Sequence, residues 1–379
     1  MTPIYLDNAA STRVSDEVLA LMTEVMRTAW GNPSAAHPQG AAARSFIESA
    51  RKRMLAALGD PDGSRGDIIW TSGCTEADAL AVVGAARVKP GAIVVSTIEH
   101  PAVSATAARL GAVIEVAPGN GAVLDPERVA EAAERAGVVA IVMVQNEIGV
   151  VQPIAAIAQA VRRRAPTCHL HIDAAQAFGK IPLDTRALAT AGVDSIAFAG
   201  HKLHGPKGTG ALWLRTGVTL EPLWVGGGQQ HGLRGGTQDA PGAAGLGLAA
   251  ERALVALPSA RTQWLELAGR VIAILEDSKV PFRQLVPDQR RAPHILALGF
   301  PGVPATALRT VLASRGVYIS TGSSCASGGD AKPSPALVAI ALPEDVGMAR
   351  LSFGLDTTMT EVETATTLLA EVAKSLRAS

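Results

Sequence analysis

The sequence predicts an α/β protein, in which a large domain with a mainly parallel sheet covered by helices is followed by a smaller α+β domain. Short apolar runs alternate with helical patterns through the middle of the chain, and these runs are apolar almost throughout, as in strands buried on both faces. After the glycine-rich stretch 226–242 this alternation becomes irregular. With 379 residues, the chain is long enough for two packed domains.

The predicted elements follow in chain order. The strands of the first domain are predicted at residues 67–70, 92–97, 112–116, 138–144, 169–172, 195–198 and 210–214. The helices between them are predicted at 76–87, 126–136 and 153–164, and Asp125 followed by Pro126 is typical of a helix start. A helix over 243–275 leads out of this domain, and strands at 295–298, 317–320 and 349–353 precede a terminal helix over 360–377.

The composition excludes several classes of function. The 34 basic and 34 acidic residues balance, so no general electrostatic attraction to nucleic acid or to an anionic membrane is expected. No signal peptide is visible, and the longest apolar run, 138–144, is far too short to span a bilayer. Three scattered cysteines indicate a reducing compartment rather than a disulfide framework. We therefore expect a cytoplasmic enzyme without direct nucleic-acid or membrane contact.

Lys202 is the first candidate functional residue. It follows the strand predicted at 195–198 and precedes a turn rich in glycine and proline. A lysine at the end of a buried strand loses solvation, which lowers its pKa, and a neutral amine can form a Schiff base with a carbonyl cofactor. Taken alone the signal is weak, because most His-Lys pairs are solvated surface residues.

Two further segments suit such a cofactor. Residues 71–76, Thr-Ser-Gly-Cys-Thr-Glu, follow a short strand and begin a helix, where free N–H groups and hydroxyls can bind a phosphate. A simple Ser/Thr helix cap explains the same residues and is favoured for this segment alone. Asp173 lies just past a strand, where ligands of open α/β sheets bind and where a carboxylate can keep a pyridinium nitrogen protonated. A helix N-cap is the alternative role for Asp173.

Two other patterns are interpreted as structural. His169 and His171 share one face of a strand and could suggest a metal, but no third ligand is evident, so packed core histidines are favoured. Residues 245–250 fit the dinucleotide-binding pattern G-x-G-x-x-A, but no apolar strand precedes them. We interpret them as helix packing, which argues against a nucleotide-binding dehydrogenase.

The cysteines and one arginine complete the candidates. Cys325 lies in the small polar loop 320–329, where a thiol is predicted to be exposed and mobile as a nucleophile must be. For this loop alone, a cysteine of no functional consequence is favoured. Cys168 borders an apolar strand and is predicted to be buried and inert. Cys74 is the rival nucleophile, because a helix start favours the thiolate; if the loop holds phosphate, its role is structural. Arg350 lies in an apolar strand and needs an anionic partner, either a substrate carboxylate or a buried salt bridge.

Together these segments resemble the cysteine desulfurases of the NifS/IscS-like group, in the class V aminotransferase family of pyridoxal-phosphate enzymes. The resemblance covers nearly the whole chain and rests on nine landmarks in the order of the family, namely residues 5–12, 31–34, 71–76, 99–100, 145–149, 173–176, 200–202, 234–237 and 322–325. Each landmark is modest alone, whereas nine in one order are highly specific. The loop around Cys325 lacks the Arg-x-Gly-His-His-Cys form of the other desulfurase group.

The resemblance implies pyridoxal 5′-phosphate as cofactor and a role for each matching residue. Lys202 would carry the cofactor covalently and shuttle protons, Asp173 would hold the pyridinium nitrogen, and His100 would stack on the ring and assist proton transfer. Gln176 would contact the ring oxygen, and Cys74 and Asn146 would make further cofactor contacts. Thr75 and His201 would bind the phosphate, together with Thr237 from the other subunit of a homodimer. Asn146, Arg350 and Asn8 would bind the substrate, and Cys325 would be the nucleophile.

The resemblance further implies fold type I, with a seven-stranded sheet in a large domain of residues 16–255 and a small domain formed by 1–15 and 256–379. The implied reaction converts L-cysteine to L-alanine with a persulfide on Cys325, which passes to a sulfur-acceptor protein. That acceptor is left open between an iron–sulfur cluster scaffold, a tRNA-thiolation relay, a DNA phosphorothioation system and a cofactor pathway.

The sequence departs from the family pattern at three positions and leaves rival functions open. Ala199 replaces a serine that commonly contacts the phosphate, Cys74 replaces a common alanine, and Ala79 stands where asparagine is frequent. These changes bear on cofactor affinity and subfamily more than on reaction type. A selenocysteine lyase, a β-eliminating C–S lyase and an inactive sulfur-assembly scaffold are the alternatives. The presence of Lys202, Asp173, His100 and Cys325 argues against the scaffold.

Overall fold

The structure is a computed structural model, and it describes residues 3–322 and 333–378. The α-helices of these residues are α1 (Asp16–Thr28), α2 (Pro38–Ala57), α3 (Cys74–Val88), α4 (Pro101–Ala108), α5 (Pro126–Ala133), α6 (Ile154–Arg164), α7 (Thr185–Ala191), α8 (Ala240–Ser278), α9 (Ala305–Ser314), α10 (Pro335–Ala339) and α11 (Met359–Ala378). The strands are β1 (Ile4–Tyr5), β2 (Gly66–Thr71), β3 (Ala92–Ser96), β4 (Val113–Val116), β5 (Ala136–Val142), β6 (His169–Asp173), β7 (Ser195–Ala199), β8 (Gly210–Arg215), β9 (Arg283–Gln284), β10 (Ile295–Pro301), β11 (Val317–Tyr318) and β12 (Val346–Ser352).

A seven-stranded sheet in the order β2-β8-β7-β6-β5-β3-β4 forms the centre of the larger part of the molecule. Strands β3 to β7 are parallel, and only β8 runs antiparallel to its neighbours β2 and β7. The predicted mainly parallel sheet is therefore confirmed. In the β6–β7 pair Asp173 lies opposite Ala197, so the carboxyl ends of both strands open at one edge of the sheet. This register brings Asp173 and the Gly200–Lys202 turn to the same side.

The predicted boundaries differ from the observed ones by a few residues. The strand predicted at 138–144 is formed by residues 136–142, because residue 144 instead bridges Val151. The helix predicted to run to residue 136 ends at Ala133, since Ala136 begins β5. Asp125 is the N-cap of α5, accepting from the Glu127 N–H at 2.9 Å, which confirms the predicted start. No helix was predicted over residues 16–57, where α1 and α2 form and pack against α8.

Helix α8 connects two hydrophobic cores. Its first half, up to Ala253, is buried in the core of the seven-stranded sheet together with α1 and α2. Its second half, from Ala260 to Leu275, packs with β10, β12, α9 and α11. Pro258 lies inside the helix between these halves. Because the change of core occurs there, we propose the domain boundary between residues 255 and 256.

The N-terminal segment lies on the second core, whereas helix α1, which follows it in sequence, packs in the first. Strand β1 pairs in parallel with β11, Leu6 is buried in the second core, and Asp7 bridges Ser352 of β12. Residues 8–12 then cross to the turn after β7, where the Thr12 N–H donates to the His201 carbonyl at 2.9 Å. The segment therefore connects the β12 strand to the edge of the large sheet, where the candidate site lies.

Candidate active site

Lys202 lies in the turn after β7 and is held by the N-terminal segment. Its Nζ donates to the carbonyl oxygens of Ala9 at 2.6 Å and Ala10 at 2.8 Å. Burial, followed by the charge of Arg350, lowers the pKa of Lys202 to about 8, against the opposing effect of Cys74 and Asp173. The amine therefore loses its proton more easily than a solvated lysine does, in agreement with the position at the end of a buried strand.

Asp173 ends β6 and is almost fully buried. Its Oδ1 accepts from the Ala175 N–H at 2.8 Å, and the Cys74 Sγ lies 3.6 Å from the same oxygen. The predicted alternative of a helix N-cap is wrong, because residues 175–180 form turns and the next helix, α7, begins at Thr185. The Asp173 carboxylate thus remains at the sheet edge, within electrostatic range of both Lys202 and His100.

His100 precedes α4 and caps it. The Nδ1 of the ring accepts from the Ala102 N–H at 3.1 Å. Burial and Lys202 lower the pKa of His100, although Asp173 acts in the opposite direction. Because Nδ1 is an acceptor, the neutral ring carries its proton on Nε2, and this is the nitrogen left to exchange protons in the site.

The segment 71–76 forms an open helix start. The N-cap of α3 is Gly73, which makes no side-chain cap hydrogen bond, while the Thr71 hydroxyl donates to the Gly73 carbonyl at 2.9 Å. The alternative of a Ser/Thr cap is therefore wrong. Among the described residues, and apart from Gly73 and its two neighbours in the chain, no heavy atom lies within 4 Å of the place that a Cβ on Gly73 would occupy, so space remains beside the first N–H groups of the helix. Such a helix start can bind a phosphate.

The other residues predicted to bind phosphate differ in exposure. Thr75 is exposed in the first turn of α3. His201 lies beside Lys202, with its Nδ1 3.3 Å from the Ser11 hydroxyl. Burial and the charges of Lys202 and Lys207 lower the pKa of His201 to about 4, so it would act as a neutral donor. Thr237 is exposed on the surface of its own chain.

Arg350 forms a buried ion pair and still has an unused donor. Its Nη2 donates to Asp7 Oδ1 at 2.5 Å and its Nη1 to the Asn146 carbonyl at 2.8 Å. The Nε is buried and has no hydrogen-bond partner among residues 3–322 and 333–378. The structural salt bridge considered for Arg350 is thus present, and it leaves Nε for a further anion. Sequence reasoning included Asp7 in a landmark but did not assign it as the partner of Arg350.

Asn8 and Gln176 hold the N-terminal segment in place. The Asn8 Nδ2 donates to the Ser352 carbonyl at 3.0 Å, and the Gln176 Nε2 donates to the Ala9 carbonyl at 2.7 Å. The Gln176 Oε1 lies 3.3 Å from His294 Nε2. Gln176 therefore fixes the Ala9 carbonyl to which Lys202 also donates, and Asn8 holds the preceding residue of the segment against β12.

The two described cysteines have unreactive thiols. Cys168 is buried, and burial raises its pKa to about 12, which confirms the inert cysteine predicted there. Burial, Asp78 and Asp173 raise the pKa of Cys74 well above its usual value. The expectation that the helix start favours a Cys74 thiolate is therefore wrong, because burial, reinforced by the neighbouring Asp173 carboxylate, outweighs the helix dipole. Cys325 lies outside the described residues, and its assignment as nucleophile stays a prediction.

His169 and His171 are fully buried core residues, as favoured from the sequence. Both lie beside the Ser195 hydroxyl, and the His171 Nε2 lies 3.0 Å from Asp78 Oδ1. Sequence reasoning missed Asp78. The only local signal was a charged residue on the face of α3 that otherwise buries alanine and leucine.

Comparisons with known proteins agree with this geometry. Residues 4–364 match the profile of the family described as Aminotransferase class-V. The chain is 35% identical over 390 residues to a cysteine desulfurase of Cereibacter sphaeroides, covering 100% of this chain and 97% of that protein. It is 34% identical over 386 residues to the cysteine desulfurase IscS of Methanosarcina thermophila, covering 99% and 93%.

Solved structures of similar proteins share the whole fold. A NifS-like protein superposes with a TM-score of 0.89 at 30% identity and covers 99% of this chain and 100% of its own. SspA in complex with cysteine superposes with a TM-score of 0.78 at 31% identity, covering 92% and 98%. The fold is that of the pyridoxal-phosphate enzymes of fold type I.

Proposed function

The chain belongs to the aminotransferase class-V family, and on that premise we propose that it is a cysteine desulfurase that converts L-cysteine to L-alanine and transfers the sulfur. The observation that carries the proposal is the placement of Lys202 and Asp173 at one edge of the large sheet, with Arg350 of β12 near enough for its charge to lower the pKa of Lys202, in a chain similar to cysteine desulfurases over its full length. This arrangement supplies an amine of lowered pKa, a buried carboxylate and an arginine with an unused donor.

The residues present fit pyridoxal 5′-phosphate. The helix start at Gly73 has room for the phosphate, Asp173 offers a carboxylate for the pyridinium nitrogen, and Lys202 offers an amine for the aldehyde. Gln176, Thr75, His201, Cys74 and Asn146 would complete the contacts. When bound, the cofactor supplies a carbonyl for the amino group of the substrate and an electron sink for the carbanion.

Lys202 and His100 are proposed to move protons. With a pKa of about 8, Lys202 exchanges a proton near neutral pH, and its position between the N-terminal carbonyls and Asp173 keeps the amine at the sheet edge. His100 is neutral at pH 7 because its pKa is lowered, and its Nε2 is the protonated nitrogen. A lysine that accepts the α-proton and a histidine that exchanges one nearby constitute an acid–base pair.

Arg350 is proposed to bind the substrate carboxylate. The unpartnered Nε and the Nη2 now paired with Asp7 form one edge of the guanidinium, which is the geometry that binds a carboxylate in a bidentate manner. Substrate would therefore displace Asp7 or share Nη2 with it. Asn146, whose carbonyl accepts from Arg350, and Asn8, which donates to the Ser352 carbonyl of the same strand, are proposed to complete this subsite.

Cys325 is proposed as the sulfur acceptor within the chain. Its thiolate attacks the sulfur of the substrate, an S–S bond forms, and the Cβ–S bond breaks with its electron pair left on Cβ. Protonation of Cβ gives alanine, so that one thiol and one cysteine yield one persulfide and one alanine. The pKa values of Cys74 and Cys168 are both raised, which leaves Cys325 as the cysteine suited to this step.

The proposed partners are a second copy of the chain and a sulfur-acceptor protein. Trp224 and Val225, which precede the 234–237 landmark, are exposed to 51% and 92%, as expected of a surface covered in a homodimer in which Thr237 reaches the partner's phosphate.

The names of the IscS relatives favour iron–sulfur cluster biogenesis as the receiving pathway. Cys74 and Cys168 are free, which supports a cytoplasmic location. Among the described residues, no helix combines the length and apolarity required to cross a bilayer.

Product analysis after mixing cofactor-loaded protein with L-cysteine and a thiol reductant tests the proposal. Alanine and sulfide in equal amounts are expected. Pyruvate and ammonia would instead establish a β-eliminating C–S lyase and remove Cys325 from the mechanism. The same assay with L-selenocysteine distinguishes a selenocysteine lyase, which would use that substrate and leave L-cysteine unchanged.

A further inference from the structure

We propose that Asp78 is a positioning residue, which a directed chain of buried hydrogen bonds holds as a neutral carboxylic acid, so that it places no second negative charge beside Asp173. The chain runs from Asp78 through His171, Ser195 and His169 towards Asp194. That Asp173 meets a cofactor rests on the proposed function, whereas the protonation state of Asp78 is inferred from the geometry of the chain itself.

The chain is continuous and shielded from solvent. The His171 ring contacts Asp78 Oδ1 through Nε2 at 3.0 Å and the Ser195 hydroxyl through Nδ1 at 2.9 Å. The same hydroxyl lies 2.8 Å from His169 Nε2, and His169 Nδ1 lies 4.0 Å from Asp194 Oδ2. All five side chains are buried. The two-residue spacing in β6 places both rings on one face, and the pairing of His171 with Ser195 in β7 places the hydroxyl between them.

The Asp194 end determines the direction of the chain. Asp194 is paired with Arg162 at 2.5 Å and with Arg215, and it accepts from the Leu170 N–H at 2.9 Å, so a carboxylate faces His169. His169 Nδ1 has no hydrogen-bond partner among the described residues. A proton on Nδ1 is attracted by the Asp194 carboxylate, whereas a lone pair there would be repelled. His169 therefore carries its proton on Nδ1 and accepts through Nε2.

The other protons follow from that orientation. Burial lowers the pKa of His169 to about 4 and that of His171 to about 3, so each ring holds a single proton at neutral pH. Ser195 donates to His169 Nε2 and accepts from His171 Nδ1–H. His171 Nε2 is then an acceptor, and the contact at 3.0 Å requires Asp78 to donate. An ionised Asp78 cannot donate, so the chain requires the acid form.

The surroundings of Asp78 favour the same form. Cys74 faces it from its own helix, Asp173 and His171 from β6, and Glu99 from the turn before α4. None of these groups is a cation, and Asp78 Oδ2 has no hydrogen-bond partner among the described residues. Burial and the Asp173 charge raise the pKa of Asp78 well above its usual value. When two carboxyl groups approach closely, one of them retains its proton, and here Asp78 does so.

The consequence for the site is a single negative charge. The nearest ligating atoms of Cys74, Asp78 and Asp173 all lie within 4.8 Å of one another, and with Cys74 and Asp78 neutral only Asp173 carries charge. The Asp173 carboxylate is then available to one cationic partner and is not opposed by a second anion behind it. A divalent metal ion bound by the three side chains would require an ionised Asp78 and would reverse the hydrogen bond to His171.

Infrared spectroscopy of the cofactor-free protein at pH 7 in deuterated buffer tests the protonation state. We expect a carbonyl stretch of a protonated carboxyl group that disappears in Asp78→Asn. The matched control is Asp60→Asn, because Asp60 is equally buried but all its partners are donors, namely Arg186, the Ser64 hydroxyl and the N–H groups of Arg65 and Gly66. That variant should retain the band. Glu99, whose pKa burial raises to about 8, contributes a band of its own, which Glu99→Gln identifies.

Cofactor affinity separates positioning from mere packing. Asparagine can donate to His171 Nε2 as the acid does, so Asp78→Asn should bind pyridoxal 5′-phosphate within about threefold of the unaltered protein. Asp78→Leu leaves a buried acceptor unsatisfied and should weaken binding about tenfold or more. The proposal would be overturned if Asp78→Asn lost no infrared band, or if Asp78→Asn and Asp78→Leu weakened cofactor binding equally. A stoichiometric metal ion in the purified protein would also overturn it. If the unaltered protein binds no cofactor, the proposed function fails, and the infrared result still decides the state of Asp78.

Discussion

The polar groups on the two sides of Asp173 are both buried but are paired differently. On the α3 side, neutral groups meet donor to acceptor from Asp78 to His169. On the other side, Lys202 donates to two carbonyl groups of the N-terminal segment and Arg350 donates to the Asp7 carboxylate of the same segment, while the Arg350 Nε has no hydrogen-bond partner among the described residues. A satisfied neutral network stabilises one arrangement, whereas an incompletely paired arginine and a lysine of lowered pKa are available to a ligand. Substitutions on the Lys202 side should therefore change turnover or KM, whereas substitutions on the α3 side should change how stability depends on pH.

The largest effect is expected for Cys325→Ala. If Cys325 carries the sulfur, this variant should form no alanine from L-cysteine and should retain the visible absorption of the bound cofactor, because the Lys202 side is unchanged. Alanine measured by chromatography after a fixed time, with sulfide measured in parallel, checks this. The control is Cys168→Ala, which removes a buried thiol whose pKa is raised to about 12 and should keep its activity. Unchanged desulfuration by Cys325→Ala would remove the residue from the mechanism.

Lys202→Ala should lower turnover by about 10²- to 10⁴-fold, because it removes the proposed acid–base group together with the covalent attachment of the cofactor. The matched control is Lys180→Met. Lys180 is also buried with a pKa lowered to about 8 by burial, but its Nζ lies 5.2 Å from the centre of the Trp264 ring, outside the proposed site. Reduction with borohydride followed by mass spectrometry should attach cofactor to the control and not to Lys202→Ala. Cofactor attached to Lys202→Ala would show that another amine is used.

These two experiments concern residues that local sequence patterns could identify. Lys202 and Asp173 follow buried strands, and the carboxyl ends of parallel strands meet at one edge of the sheet, so local pattern and topology predicted both. Asp78 and Arg350 are different. Asp78 and its partner His171 are 93 residues apart in the sequence, and Arg350 and its partner Asp7 are 343 residues apart. The local sequence pattern therefore contains no information on either partner. Helices α1 and α2 were missed for a related reason, because they pack on α8 from distant sequence rather than alternating with strands.

Arg350→Lys tests whether the unpaired edge of the guanidinium recognises the substrate. Lysine keeps the charge and can still pair with Asp7, but it cannot bind a carboxylate in a bidentate manner. We expect KM for L-cysteine to rise by about 10- to 100-fold, corresponding to the loss of one charge-assisted hydrogen bond, with a much smaller change in kcat. Steady-state kinetics with L-cysteine checks this division. A fall in kcat at unchanged KM would instead indicate that Arg350 acts in the chemical step.

The smallest effect is expected on the α3 side, as a change in how stability depends on pH. His169 has a folded-state pKa of about 4, below the usual value of 6.5, so between these pH values the unfolded chain binds a proton that the folded protein does not. Stability from this group is therefore complete above pH 6.5 and is lost as the pH falls towards 4, at about 1.4 kcal/mol per pH unit. Glu99 contributes the opposite trend in stability between its ordinary pKa and about 8. Because every variant compared contains Glu99, this contribution cancels when the unfolding free energies of two proteins are subtracted.

His169→Gln should remove that loss. The free energy of unfolding is measured with urea on the cofactor-free protein at several pH values between 4 and 7. The difference between the unaltered protein and His169→Gln should shrink as the pH falls. His231→Gln is the matched control, because His231 is exposed and outside the chain, so its difference should stay constant. A constant difference for His169→Gln would mean that the folded protein protonates His169 as readily as the unfolded chain does. The Asp194 end could then no longer direct the hydrogen bonds towards a neutral Asp78, and the two sides of Asp173 would not differ in the way inferred.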